Sequence, residues 1–148
     1  MLGLSRKSLL ALEAVIDVAV HARPDPVQAR DITRRQGVPQ RYLEQIMQTL
    51  VRADILRGVR GPRGGYRLAR ERRRIAVSEI VRVIDAPDAA AYPTRSALGE
   101  QVIRPFCEDV HGHILARLDD MTVADLCNNL DEVALTRNAA PTAGDFTI

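Results

Sequence analysis

Residues 55–70 read Ile-Leu-Arg-Gly-Val-Arg-Gly-Pro-Arg-Gly-Gly-Tyr-Arg-Leu-Ala-Arg, and this segment is more informative about the architecture than any other in the sequence. Two short extended runs, residues 56–60 and 66–69, flank a turn that contains three glycines and Pro62. Glycine permits the positive φ angles that tight turns need, and proline stiffens such a turn. The pattern therefore predicts a β-hairpin. Arginines lie on both strands and at the tip, namely Arg57, Arg60, Arg63 and Arg67.

Three helices are predicted before this hairpin, because apolar residues recur there at three- and four-residue spacing. The first runs from a capping Ser5 to about His21, the second over residues 27–36 and the third over residues 40–53. A sharp turn at Gly37 joins the second and third helices, which is the layout of a helix-turn-helix. The polar face of the third helix consists of Gln40, Arg41, Glu44, Gln45 and Gln48.

Further amphipathic segments follow the hairpin. Ser78 is expected to cap a short helix over residues 77–84, and Thr122 to cap another near the end of the ordered chain. Between them a longer helix is predicted over residues 105–118, because proline at position 105 fits the first turn of a helix. Its apolar stripe repeats every four residues: Phe106, Val110, Ile114 and Leu118, with Leu98, Val102 and Ile103 extending it upstream past a kink. Such a stripe needs a partner, either the chain's own core or the same helix of a second subunit.

Charge is unevenly distributed along the 148 residues. Residues 1–75 hold 16 Lys and Arg against 7 Asp and Glu, whereas residues 76–148 hold 5 against 12. Lys7 is the only lysine, and arginine binds phosphate and guanine in a fixed bidentate geometry. The first half is therefore expected to bind a polyanion. A basic solvated surface is the simpler alternative.

A polar-faced helix followed directly by a basic hairpin is the arrangement with which winged helix-turn-helix proteins bind duplex DNA. The helix enters the major groove, and the hairpin reaches phosphates or the neighbouring minor groove. The sequence thus predicts a mainly α fold with a small β-hairpin wing, and double-stranded DNA as its partner. The expected organisation is a DNA-binding domain (1–85), a loop (86–104), a dimerisation helix with a short C-terminal helix (105–130) and a largely disordered tail (131–148).

The motifs themselves point to a family. Residues 59–69 read Val-Arg-Gly-Pro-Arg-Gly-Gly-Tyr-Arg-Leu-Ala, and Tyr42-Leu43-Glu44-Gln45 lies on the third helix. Residues 4–7 (Leu-Ser-Arg-Lys), 78–80 (Ser-Glu-Ile) and 121–126 (Met-Thr-Val-Ala-Asp-Leu) follow in the same order. Together they resemble the Rrf2 family of bacterial transcription regulators over roughly residues 4–130. The wing signature is the most specific part of this resemblance.

The resemblance implies a homodimeric regulator, more often a repressor, that reads a pseudo-palindromic operator with one half-site per subunit. The helix after the wing crosses its partner through Phe106, Val110, Ile114 and Leu118. At matching positions the major-groove residues are Gln40, Arg41, Tyr42, Glu44 and Gln45. Arg60 enters the minor groove, while phosphates are held without sequence preference by Arg6, Lys7, Arg63 and Arg67.

The chain departs from the family at the sensor. Many Rrf2 regulators carry an iron–sulfur cluster on three cysteines in the loop before the dimer helix, whereas residues 85–106 here contain no cysteine. Cys107 and His111 stand at i, i+4 on the predicted helix. They are either a candidate sensor pair or ordinary helix residues, since a cluster normally takes four ligands. We therefore expect no cofactor, with an iron–sulfur cluster as the alternative, and the effector stays unknown.

Other function classes lack their signatures. No apolar run approaches the ~20 residues that span a bilayer, and Glu13 and Asp17 interrupt the first apolar stretch, which argues against a signal peptide. A cytoplasmic location without membrane contact is expected. An enzyme is not expected, because no nucleophile stands beside a histidine and no P-loop is present. The remaining alternative is a protein-interaction module built on a winged-helix scaffold, which lacks the steep salt dependence of a DNA reader.

Overall fold

The computed structural model describes residues 3–85 and 95–130. In chain order its elements are helix α1 (Arg6–His21), helix α2 (Ala29–Gln36), helix α3 (Gln40–Arg52), strand β1 (Leu56–Val59), strand β2 (Gly65–Leu68), a 3-10 turn (Arg72–Arg74), helix α4 (Val77–Asp85), a π-helical turn (Gly99–Ile103), helix α5 (Arg104–Asp119) and helix α6 (residues 123–130). The expected mainly helical fold with one antiparallel hairpin is confirmed.

The expected tail, residues 131–148, and the first part of the expected loop, residues 86–94, lie outside the described residues. The second part of that loop differs from the expectation, because residues 97–103 already have helical conformations and lead without a break into α5. Within the part of the chain that the structure describes, every helix is too short or too polar to cross a lipid bilayer.

Local capping interactions fix the ends of the first helices. Ser5 caps α1 as expected, because its hydroxyl accepts the Ser8 amide at 3.0 Å. Gly37 ends α2 in a left-handed conformation with φ of 68°, which glycine adopts without steric cost. The second of these caps sets the sharp turn between α2 and α3.

The end of α3 leads directly into the wing, which we define as residues 56–68. Asp54 adopts a left-handed conformation with φ of 58°. Its amide donates to the Val51 carbonyl at 3.1 Å, and the next amide, that of Ile55, donates to the Leu50 carbonyl at 3.0 Å. This pair of bonds is a Schellman motif, which satisfies the last carbonyls of a helix. The chain therefore turns from α3 into β1 within three residues.

The wing is a two-stranded β-ribbon. Val27, in the segment before α2, pairs with the other edge of β2. Strands β1 and β2 pair with Leu56 opposite Leu68. On the other edge of β2, the Val27 amide donates to the Tyr66 carbonyl at 3.0 Å, and the Tyr66 amide donates to the Val27 carbonyl at 2.7 Å. Because Val27 is committed to this pairing, α2 begins at Ala29 and not at the expected position 27.

One core joins all of these elements. Its fully buried large side chains come from α1, α2, α3, α4 and β1 and from the segments just before β1 and α4: Val15, Val18, Ile32, Leu43, Ile46, Met47, Leu50, Ile55, Leu56, Ile75, Ile80 and Ile84. Val123 and Cys127 of α6 belong to the same buried cluster. The last helix therefore packs onto the winged-helix unit, and α5 connects the two.

Backbone bonds hold α6 against the start of α4. The Val77 amide donates to the Met121 carbonyl at 2.8 Å, and the Val123 amide donates to the Ile75 carbonyl at 2.9 Å. Thr122 caps α6 as expected, its hydroxyl accepting the Asp125 amide at 3.2 Å. These two bonds keep Val123 and Cys127 in the core of the winged-helix unit.

The expected cap of α4 is wrong. Ser78 is 1% exposed and lies inside the first turn of α4 instead of preceding it. The capping contact comes from Glu79, whose Oε2 accepts the Ala76 amide at 2.8 Å. The pKa of the Asp119 carboxyl in α5 is lowered, first by the hydrogen bond from the Arg82 guanidinium and then by Ser78.

Gly65→Ala tests the close contact between the wing and Val27. A Cβ at position 65 would lie 2.3 Å from the Val27 carbonyl oxygen, closer than atoms can approach. We expect the variant to lose about 1–3 kcal/mol of unfolding free energy, measured as a lower midpoint in urea denaturation. Gly58→Ala is the matched control in the same ribbon, because a Cβ there meets no atom within 4 Å. Equal midpoints for both variants would contradict this account of the contact.

Candidate nucleic-acid interface

Helix α3 separates a buried face from a polar one. Its inward residues Leu43, Ile46, Met47 and Leu50 are 0% exposed, so the helix cannot rotate without disrupting the core. Gln40, Arg41 and Gln45 are exposed on the other side, as the sequence predicts. The helix thereby presents amides and a guanidinium, which are the groups that pair with base edges.

Two of the expected reading residues are partly engaged within the protein. Tyr42 is half-buried and packs against the core. Glu44 is half-buried, and its Oε1 accepts the Gln40 side-chain amide at 2.9 Å. Since this bond joins residues one helical turn apart, Gln40 holds the Glu44 carboxylate in a defined orientation on the outer face of α3.

Helix α3 also lies beside the wing. Helix α3 packs against β1, and Tyr66 of β2 is half-buried against the core. Burial raises the pKa of the Tyr66 hydroxyl, and the charge of the nearby Glu44 raises it further. Helix α3 and the wing are therefore direct neighbours in the fold, with the charge of Glu44 acting on the Tyr66 hydroxyl. Sequence reasoning did not predict this Tyr66–Glu44 proximity, since it depends on how the ribbon folds back onto the helix.

The wing presents unpaired arginines. Arg57, Arg60 and Arg63 are exposed, and their guanidinium groups bond to no other group of the described residues. Arg63 lies at the tip, where the Gly64 amide donates to the Gly61 carbonyl at 2.9 Å and closes the turn. A Cβ at Gly64 would lie 2.3 Å from the Val59 carbonyl oxygen. Glycine is thus required for the turn that carries Arg63.

Arg67 has a different role from the expected one. Its guanidinium donates to the Ala22 carbonyl at 3.4 Å and to the Pro24 carbonyl, and the residue is half-buried. It therefore fastens the loop after α1 to β2. The expectation that Arg67 holds phosphate is revised, because these carbonyls engage both terminal nitrogens of the guanidinium.

The first turn of α1 carries the remaining expected phosphate ligands. Arg6 is exposed and Lys7 is half-buried. No acidic residue of α1 itself lies in this turn, but the Asp85 carboxylate accepts the Ser5 and Ser8 hydroxyls there. In contrast, Arg35 of α2 donates two bonds of 2.7 Å to Asp17. The hydrogen bond from Arg35 to Asp17 raises the pKa of the guanidinium, which remains charged and internally paired.

The outer face of α5 and of the turn before it is apolar and uncovered. Leu98, Val102 and Phe106 are 68%, 52% and 54% exposed, and no residue of the 16-residue α5 is buried. Val110 and Ile114 are half-buried and continue the four-residue spacing. We call Leu98, Val102, Phe106, Val110 and Ile114 the apolar stripe. Leu118 was expected to belong to it but packs against the chain's own core.

The candidate sensor residues do not form a metal site. Cys107 and His111 are half-buried on α5, whereas Cys127 is 2% exposed inside the core. Among residues 3–85 and 95–130 no three His, Cys, Asp or Glu side chains come together as ligands. The donors that these residues offer therefore do not fit an iron–sulfur cluster, which takes four ligands, mostly thiolates.

Comparison with known sequences gives consistent matches. The Rrf2 family model, described as an iron-dependent transcriptional regulator, matches residues 4–129. The HTH-type transcriptional regulator IscR of Yersinia enterocolitica is 34% identical over 141 residues, which cover 91% of this chain and 86% of the relative. IscR of Serratia proteamaculans is 33% identical over 132 residues, with coverages of 86% and 80%. These relatives are named as regulators and not as enzymes, as the sequence predicts.

Solved structures agree with the sequence matches. T. potens IscR superposes with a TM-score of 0.69 at 34% identity, covering 87% of this chain and 88% of that one. CymR (YrzC), the global cysteine regulator of B. subtilis, superposes with a TM-score of 0.66 at 25% identity, with coverages of 87% and 98%. The similarity thus extends over most of the chain and is not confined to the wing motif.

Proposed function

The chain belongs to the Rrf2 family of transcriptional regulators, and we propose that it acts as a homodimeric repressor on a pseudo-palindromic operator. The observation that carries the proposal is the juxtaposition of two surfaces: the polar face of α3 and the unpaired arginines of the wing. A helix and a ribbon side by side match a major groove and its adjacent minor groove. The positive charge of the first half supplies the attraction to phosphates.

Each part of this surface has a proposed role. Gln40, Arg41 and Gln45 read base edges in the major groove. Glu44, oriented by Gln40, and the hydroxyl group of Tyr42 contribute further contacts there. Arg60 enters the minor groove, where the potential is most negative over narrow A·T steps. Arg63, Arg6 and Lys7 hold phosphates. Arg57, exposed on β1 of the same wing as Arg63, is a further phosphate ligand that extends the set expected from family positions.

The apolar stripe supports the dimer. An uncovered row of large side chains on a helix without any buried residue is typical of a surface that a partner covers. An identical stripe on a second chain would cover it by an isologous contact, which is the symmetry that a pseudo-palindrome requires. The dimer bound to its operator would then exclude RNA polymerase by steric overlap. Such a protein works in the cytoplasm, where bacterial DNA lies.

In this proposal, DNA binding is not controlled by an iron–sulfur cluster held on three cysteines. The described thiol and imidazole donors form no such site, so the roles assigned here use only the side chains of α1, α3, α5 and the wing. Cys107 stays a candidate for a thiol-based signal, because it lies half-buried close to the apolar stripe.

Arg60→Ala is expected to weaken binding to a selected operator roughly tenfold, since a base-reading contact contributes about 1–3 kcal/mol. Fluorescence anisotropy with labelled duplex measures the affinity, and light scattering checks that the oligomeric state is unchanged. Arg117→Ala removes the same charge from the exposed side of α5 and serves as control. Unaltered affinity in the Arg60 variant would remove the wing from DNA recognition.

Glu44→Ala is expected to change which sequences are preferred more than it changes binding to random DNA. The oriented carboxylate can accept from a cytosine amino group and repels other base edges. Selection from a random duplex library, followed by sequencing, compares the preferred sites of the variant and the parent. Gln48→Ala alters an exposed residue of the same helix outside the reading set. Identical preferred sites for Glu44→Ala and the parent would exclude Glu44 as a reader.

Phe106→Glu is expected to convert the dimer into monomers, because it places a charge in the centre of the apolar stripe. Sedimentation equilibrium measures the mass of the full chain. Ala116→Glu introduces the same charge at an exposed position of α5 outside the stripe and should leave the mass unchanged. A dimer that persists in the Phe106 variant would show that the partner is held by another surface.

A further inference from the structure

One carboxylate is bonded to both ends of the first turn of α1. The Ser5 hydroxyl donates to Oδ1 of Asp85 at 2.6 Å, and the Ser8 hydroxyl donates to Oδ2 at 2.8 Å. Ser8 is 0% exposed, so its bond is shielded from water and is held more firmly than a surface contact. Asp85 is the last residue of α4, which packs along α1. The carboxylate thus clamps the two serines from a neighbouring helix.

The clamped turn carries the basic residues at the start of α1. Arg6 and Lys7 stand between the two serines, and Ser5 is also the cap of the helix. Neither basic side chain has a hydrogen-bond or ion-pair partner among the described residues. The turn is therefore ordered by the serines and Asp85, while its two cationic side chains remain available to an anion.

We propose that Asp85 is a positioning residue for DNA binding: through Ser5 and Ser8 it holds the backbone that aims Arg6 and Lys7 at the phosphates. The proposal rests on the function proposed above and adds a residue that touches no DNA. Holding the turn in place means that less backbone entropy is lost on binding than a frayed helix end would lose. An acidic residue at a DNA-binding surface thus favours binding by its contacts, although its charge alone repels phosphate.

Whether Asp85 variants bind DNA more tightly or more weakly than the parent distinguishes the charge of Asp85 from its positioning role. If its charge dominates, both Asp85→Ala and Asp85→Asn will bind DNA more tightly than the parent. If positioning dominates, Asp85→Ala will bind more weakly. Asp85→Asn will then fall between Asp85→Ala and the parent, because the asparagine amide keeps one oxygen acceptor for the serines.

The experiment measures affinity of the full chain for a short mixed-sequence duplex over a series of salt concentrations. The slope of log K against log salt becomes shallower by about 0.9 for each phosphate that the protein no longer neutralises. We expect Asp85→Ala to make the slope shallower by about 1 to 2, as does the double variant Arg6→Ala, Lys7→Ala. Adding Asp85→Ala to that double variant should then change the slope no further. A purely structural loss of stability would not produce this dependence on the two basic residues.

Two controls keep the outcomes distinct. Asp119→Ala removes a carboxylate of equal charge that holds Arg82 of α4 by a 2.6 Å bond, and it should leave the slope unchanged. Ser8→Ala removes one of the two bonds to Asp85 and should make the salt slope shallower by a smaller amount. This variant replaces Asp85→Ala as the test if a thermal melt shows that Asp85→Ala is unfolded. A parental slope in Asp85→Ala, or tighter binding in both Asp85 variants, would overturn the proposal. A parent that binds the duplex without salt dependence would instead refute the DNA-binding function itself.

Discussion

The architecture depends on the close pairing between strand β2 and the extended residue Val27. Two backbone bonds and the absence of a side chain at Gly65 bring these segments into direct contact. The pairing has two consequences. Because Val27 is extended, α2 begins only at Ala29, which sets the position of the helix-turn-helix. The same pairing anchors the wing along the edge of β2. Arg67 reinforces the same junction by bonding the loop that precedes Val27. Helix α3 and the ribbon are thus held by the same set of contacts.

Much of this fold could be predicted because its signals are local. Ser5 and Gly37 end their helices through contacts within a few residues, and the turn of the wing needs glycine whatever surrounds it. The parts that differ depend on contacts distant in sequence. Val27 was expected in a helix but pairs with a strand some forty residues later. Ser78 resembles a cap by its residue type, yet the chain folds it into the interior.

The candidate site shows the same division. Exposed polar residues of α3 follow from helical periodicity, since the apolar positions fix which face is buried. The fate of a particular arginine does not follow from periodicity, because its long side chain can reach any acceptor in a wide radius. Arg67 and Arg35 are engaged inside the protein, whereas Arg60 and Arg63 are not. Likewise Leu118 shares its spacing with the apolar stripe, and only the packing of the last helix shows that the chain covers it itself.

The weak packing of helix α5 within one chain makes its stability depend on the concentration of the protein. None of its 16 residues is fully buried within one chain, although Leu115 and Leu118 pack against the core. Packing within one chain therefore supports this helix only weakly, and isolated helices of that length are marginal in water. Association would then be coupled to the ordering of this segment, and stability would rise with protein concentration. The fraction of a two-fold symmetric DNA site that is bound would then rise more steeply than the total concentration of the protein. In the proposed dimer, cellular abundance would then itself act as a control variable, even where no small molecule is sensed.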